Sequence, residues 1–177
     1  MASVYTNDLR LEEIGTGEQS GSWGTTTNRN LDLIAEAFSL GTEVINTNAN
    51  SHSTSIADGQ TSQGRSIYLK YTGALDSNCT ITLGPSSISK MWFIQNSTTD
   101  SGSSGPYSII INQGSTTGSG AKITIPNGQV KAVHTDGALD NGAVTDAFTG
   151  LSVPSLFVAG SAPAGIGDVL ALSIALG

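Results

Sequence analysis

Charge is the scarcest resource in this 177-residue chain: only 12% of residues are Asp, Glu, Lys or Arg, about half the usual share of roughly 25%. What charge there is leans acidic, with 14 Asp and Glu against 7 Lys and Arg for a net charge of -7. Phosphate binding rests on clustered Lys and Arg, and no basic patch is visible, so nucleic acid is excluded as the expected partner. A single cysteine, Cys79, excludes an internal disulfide framework, and its place in CTITLG reads as a small buried hydrophobe. No apolar run reaches the 18 or so residues of a membrane span, and MASVYTNDLR has neither the basic start nor the apolar core of a secretory signal. Aromatics are few, at 6%, and a domain of this size needs most of them inside.

In place of charge stand 22 glycines and many Ser, Thr and Asn residues. Such a mixture suits sheets and turns whose surfaces lie against other subunits. The one clear helix signal lies within Leu9 to Phe38. Leu31, Ile34, Ala35 and Phe38 follow the i, i+3, i+4, i+7 spacing of one helical face, with Arg29, Asp32 and Glu36 opposite. Thr25, Thr26, Thr27 and Asn28 offer capping oxygens ahead of it, and Gly41 offers a stop. The spacing predicts an amphipathic helix of about three turns, too short to stand alone in water, whose apolar face packs on something else. The preceding GTGEQSGSWGTTTN reads as a loop, with Trp23 either plugging the end of the chain's own core or anchoring the chain to a partner.

Downstream the rhythm is β. After a polar connector with one short strand near Ser53 to Ala57, alternation marks Ser66 to Thr72, Cys79 to Leu83, Tyr107 to Asn112, Ala121 to Ile125, Val130 to Thr135 and Ala143 to Phe148. Met91 to Gln95 is apolar on both faces, as in a central strand. Turn-rich links separate these runs, and Pro126-Asn127-Gly128 is the strongest hairpin signal. Strands at intervals of about ten residues predict a mainly β fold, an antiparallel β-sandwich or small barrel, carrying one short N-terminal amphipathic helix. The chain divides into three regions: residues 1–50 as arm and helix for attachment and oligomerisation, 51–151 as the β domain, and 152–177 as an apolar C-terminal tail. That tail, with Leu156, Phe157, Leu170 and Leu172, has much apolar surface to cover and reads as an oligomerisation or docking segment.

Site chemistry is sparse. His134 stands beside Asp136 at a strand end, but no nucleophile or oxyanion turn accompanies the pair; His52, in a polar linker, reads as a solvated side chain. Asp136, Asp140 and Asp146 flank a Gly-rich turn without the spacing of a calcium loop. Gly118-Ser119-Gly120 has no following helix to make a phosphate cradle. The triplets at Asn78 and Asn96 match the glycosylation acceptor only by chance. An aromatic carbohydrate platform from Trp92, Tyr68, Tyr71 and Tyr107 is weaker than core packing as an account of the same residues. The expectation is therefore no catalytic residue, no cofactor and no metal. The assembly contacts are expected at Trp23, Leu31, Ile34 and Phe38 together with the four tail residues.

LRLEEIGTGEQSGSWGTTTNRNLDLIAEAF, IADGQTSQGRSIYLKYTGAL, KMWFIQNST, IIINQGS, KITIPNGQVKAVHTDG and AVTDAFTGL, taken in order over about Asn7 to Val153, resemble the N-terminal module of tail-fibre-like and other virion structural proteins of marine and aquatic tailed bacteriophages, including cyanophages. The resemblance implies a β-rich homotrimer attached to the particle through its N-terminal stretch, located in the virion and partnered with other tail or capsid proteins, with no catalytic residues. Longer fibre proteins continue into a shaft and receptor-binding tip, whereas this chain ends within about 25 residues of the module. A short fibre, a fibre anchor and a capsid decoration protein are all compatible with that. A host-envelope carbohydrate-binding module is the reading from a different class.

Overall fold

A computed structural model of the chain describes residues 2–102, 104–114 and 120–149. Met1–Ala147 forms one compact unit and Phe148–Gly177 a second. The first unit is mainly β with one N-terminal helix, α1 (Trp23–Ala37). Its strands are β1 (Leu40–Val44), β2 (Ser51–Ser55), β3 (Tyr68–Thr72), β4 (Ala74–Leu75), β5 (Cys79–Gly84), β6 (Met91–Asn96), β7 (Thr99–Asp100), β8 (Ile109–Gln113), β9 (Ile123–Ile125), β10 (Val130–Thr135) and β11 (Val144–Asp146).

Two sheets make the body, as in a sandwich, in the orders β1-β3-β6-β10-β11 and β2-β5-β8-β9, with β4-β7 as a small third sheet between them in the chain. No barrel closes. The antiparallel pairing expected from the strand spacing holds only at the C-terminal end. The chain passes from one sheet to the other and back, so that β1, β3 and β6 pair in parallel, as do β2, β5 and β8, and β4 with β7. Leu40 thus lies against Tyr68 and Tyr68 against Phe93, a repeat of roughly 25 to 30 residues within the range of coiled solenoid rungs. Links of hairpin length suggest reversals, but those between β1 and β8 turn corners between sheets, and only the links from β8 to β9 and from β10 to β11 reverse the chain within a sheet. Even Pro126-Asn127-Gly128 is a corner: it joins β9, antiparallel to β8, to β10, antiparallel to β6. After residue 114 the chain runs backwards over the last rung, and this reversal replaces an open parallel edge with an antiparallel one.

The interior is stacked from matched inward positions. Leu69 and Ile94 align between β3 and β6, and Ile81 and Ile111 between β5 and β8; all four are fully buried. Trp92, Leu83, Ile109, Val133 and Val144 complete one continuous cluster. Cys79 belongs to it, as expected, and burial raises its thiol pKa. One corner is bonded by Asn96, which is fully buried. Its Nδ2 donates to the carbonyls of Tyr107 and Ile125 at 3.2 and 3.0 Å, and its Oδ1 accepts from Thr98 N–H and Oγ1–H at 3.2 and 2.7 Å. The asparagine of the accidental glycosylation triplet is therefore a corner post inside the fold.

The first rung is hidden in the sequence. Gly41 to Val44 reads as the start of a polar connector, yet it belongs to β1, and Gly41 is not a helix stop. The strand is crossed by a short 3₁₀ turn, Gln63–Arg65, so closely that a Cβ on Gly41 would stand 2.5 Å from the Gln63 carbonyl oxygen. Gln63 also accepts the Thr42 N–H at 2.8 Å, which satisfies a free backbone donor at the sheet edge.

Candidate functional site

The helix begins earlier than its capping residues suggest. Trp23, Gly24 and the three threonines lie inside α1, Ser22 occupies the cap position without a side-chain cap, and the helix runs for 15 residues. Its buried face is also not the expected one. Leu33 and Ala37, one turn apart, are 1% and 6% exposed, joined by Thr26. Polar tethers hold this face in place. Asn30 Oδ1 accepts from Glu12 N–H at 3.1 Å while its Nδ2 donates to the Glu12 carbonyl at 2.9 Å. Glu36 accepts from the Ser62 N–H at 2.8 Å and from Arg65 Nε at 3.3 Å.

The stripe picked out by its spacing faces solvent instead. Leu31 is 58% exposed, Phe38 76% and Trp23 64%, with Ala35 exposed and Ile34 half-buried beside them. Trp23 does not plug the core. Three of the four N-terminal assembly positions thus stand on one side of α1, at successive angles next to the buried face, and the fourth, Ile34, lies between. The tail positions Leu156, Phe157, Leu170 and Leu172 lie outside the described residues. The exposed apolar surface continues past the helix end, where Leu40 and Val44 point outward from β1 at 60% and 67% exposure.

The turn bonded to the helix carries one covered cation, and a second stands near it. Arg65 is fully buried; its Nη2 donates to the carbonyls of Ala57 and Gln60 at 2.8 and 2.5 Å. Burial lowers its pKa, against the pull of Glu36. Lys90 Nζ sits 4.5 Å above the Trp92 ring and donates to the Ser66 carbonyl at 3.3 Å. Burial, helped by repulsion from Arg65, brings the Lys90 pKa down to about 8. Both cations hold loop to core, and the carbonyl contacts of Arg65 fix the loop on which α1 rests.

A second cluster stands inside the first rung. His52 Nε2 and Glu43 Oε2 are 2.6 Å apart, the Thr54 hydroxyl donates to the same carboxylate oxygen at 2.6 Å, and Tyr71 Oη is 2.6 Å from Thr54 Oγ1. His52 also meets the Tyr71 ring edge-on, with centroids 5.9 Å apart. The solvated histidine of the linker is therefore a bonded, mostly covered side chain on β2. Sequence periodicity holds a signal for it: Ser51–Ser55 alternates so that His52 and Thr54 share a side, but polar residues on that side do not announce an interior. Tyr71 is fully buried, and burial raises its pKa well above the ordinary phenol. The hydroxyl of Thr54 is committed to the carboxylate, so the cluster presents a bonded polar layer and no free nucleophile.

The remaining candidates are dispersed. Asp136 Oδ1 accepts from the Ala138 and Ala143 N–H groups at 3.0 and 2.9 Å, which lowers its pKa and makes it the cap of a turn. His134, its neighbour at the strand end, is exposed on the outer face of β10. Asp146 lies 3.9 Å from Lys131. Among the described residues no three His, Cys, Asp or Glu side chains form a metal-holding group, and no helix is long and apolar enough to cross a membrane. Trp92 and Tyr71 are buried and Tyr68 and Tyr107 half-buried, so the aromatic platform is dismantled. A groove of about 430 Å³ runs between α1 and Thr61, lined by Thr25, Asn28, Arg29, Asp32 and Leu33. No protein-family model, curated protein or solved structure matches the chain.

Proposed function

We propose that this chain is a non-enzymatic structural component of a tailed-phage virion, of the short tail-fibre or fibre-anchor type, assembled as a homotrimer and attached to the particle through its N-terminal region. The observation that carries the reading is the solvent-facing stripe of Trp23, Leu31 and Phe38 on a helix whose other face is already tethered to the fold. Three large apolar side chains more than half exposed on one helix and its C-cap are what a docking surface needs and what an isolated domain gains nothing from. The resemblance to phage fibre-type modules supplies the kind of partner. The carbohydrate-binding alternative loses its central residue, since Trp92 is inside the core.

Deleting residues 1–40 would remove Leu33, Ala37 and Glu36 and expose the core, so the test uses point changes. Virions carrying Trp23→Ser with Leu31→Ser are expected to lose this protein while the purified variant keeps its thermal midpoint. Normal incorporation of the variant overturns the docking role. Quantitative stoichiometry on purified virions separates the two structural readings. A few copies per hundred capsid subunits places the protein on the tail or at one vertex, a simple fraction of the capsid count makes it a decoration protein, and absence from virions overturns both.

A further inference from the structure

Two covered positive charges meet near the turn that crosses β1, and one bonded carboxylate answers them. The Arg65 guanidinium donates from one side of its fork, through Nε to Glu36 and through Nη2 to the carbonyls of Ala57 and Gln60. Its Nη1, at the opposite corner of the planar group, is buried and has no hydrogen-bond partner among the described residues. A buried charged donor left this way bears its full desolvation cost. Lys90 is incompletely answered too. Its Nζ lies over the Trp92 ring and donates to the Ser66 and Met91 carbonyls at 3.3 and 3.4 Å, and among the described residues no carboxylate pairs with it. Asp58 acts on Arg65 only through its charge and is itself bonded to Arg10 at 2.6 Å. Arg65 and Lys90 set against Glu36 leave one positive charge over.

We propose that the buried corner of the Arg65 guanidinium, with the Lys90 ammonium near it, holds one small monovalent anion of the chloride class. Charge selects an anion over a water. A water can accept from Nη1, but it leaves the surplus charge in place. An anion accepts from the same donor and also offsets the repulsion between the two cations. Enclosure selects the size: Arg65 is 0% exposed, and a covered position favours a bare ion over a carboxylate or phosphate that brings a larger group with it. The anion acts as a structural counterion, joining the turn bonded to α1 with the residue that leads into β6. Its binding is independent of what the chain docks on.

The test is thermal unfolding of the full chain at neutral pH and constant ionic strength, with sodium gluconate, whose anion is too large for an enclosed site, exchanged stepwise for sodium chloride. The midpoint is expected to rise by about 4 °C on reaching about 0.3 M chloride, as binding to the folded chain alone requires. Lys90→Met and Arg65→Met are expected to lose this rise, whereas Lys131→Met, at a half-buried lysine of β10, keeps it. Should Arg65→Met not fold, Lys90→Met and a crystal soaked in sodium bromide decide: the anomalous signal of bromide is expected within hydrogen-bond reach of Arg65 Nη1. A midpoint indifferent to chloride, a rise that Lys90→Met retains in full, or a water without anomalous signal beside Nη1 overturns the proposal.

Discussion

The indole N–H of Trp92 donates to the carbonyl of Gly64 at 2.9 Å, so the largest buried side chain of the core is bonded to the turn that crosses β1 and carries Arg65. Core packing and the seating of the N-terminal helix thus share one residue.

Trp92→Phe keeps most of the apolar volume but leaves the Gly64 carbonyl without its donor, at a cost of about 2 kcal/mol. Trp92→Ala adds a cavity and is expected to cost about 4 kcal/mol. Urea unfolding of both variants checks this, and a Trp92→Phe variant as stable as the wild type would mean that the hydrogen bond contributes nothing.

Asn96→Ala removes two donors to buried carbonyls and two accepting contacts at the corner of the third rung. The expected loss is about 3 kcal/mol. Asn96→Asp keeps the acceptor for Thr98 but sets a carboxylate against the carbonyls of Tyr107 and Ile125, and is expected to lose more at neutral pH. A milder effect of the aspartate would show that the Thr98 contacts dominate.

Lys90 titrates at about 8 in the fold against an ordinary value of 10.5. Below pH 8 the folded and unfolded chains both hold the proton, and the cost of burying the ammonium is fully present. Between these values the unfolded chain binds the proton and the native chain does not, so stability rises with pH, by on the order of 2 kcal/mol in total. Lys90→Met lacks this dependence and is expected to be more stable than the wild type at pH 7, with the gap closing towards pH 10. Chemical denaturation of both proteins at matched pH reads it; a gap that does not change with pH would refute the depressed value.

The two leucines of α1 are predicted to behave oppositely. Leu33→Ala empties a site 1% exposed and is expected to cost about 3 kcal/mol. Leu31→Ala alters a surface position and is expected to stay within about 0.5 kcal/mol in the isolated subunit. Reversed magnitudes would restore the face read from spacing.

Much of the architecture is legible in the chain. Alternation locates Cys79 to Leu83 and Val130 to Thr135 almost to the residue, because a strand's two faces are a local property of period two, and a short apolar run does the same for Met91 to Gln95. The helix is equally visible, though the threonines place its cap too late. Low charge and the isolated cysteine correctly mark a β body with a buried thiol. What the sequence could not determine is partnership. Whether a turn reverses the chain or carries it round a corner depends on which distant strand receives the next one. Parallel coiling therefore replaces the expected antiparallel pairing, and Pro126-Asn127-Gly128 becomes a corner. The helix shows the same limit at the scale of side chains. Leu31, Ile34, Ala35 and Phe38 form the better stripe by spacing alone, yet Leu33 and Ala37 are the ones buried. Asn30 bonded to Glu12, and Glu36 to Ser62 and Arg65, fix the rotation of α1 about its axis, and those partners lie far apart in sequence. Periodicity establishes that a helix has an apolar arc; only the tertiary contacts decide how much of that arc the fold covers and how much it leaves facing out.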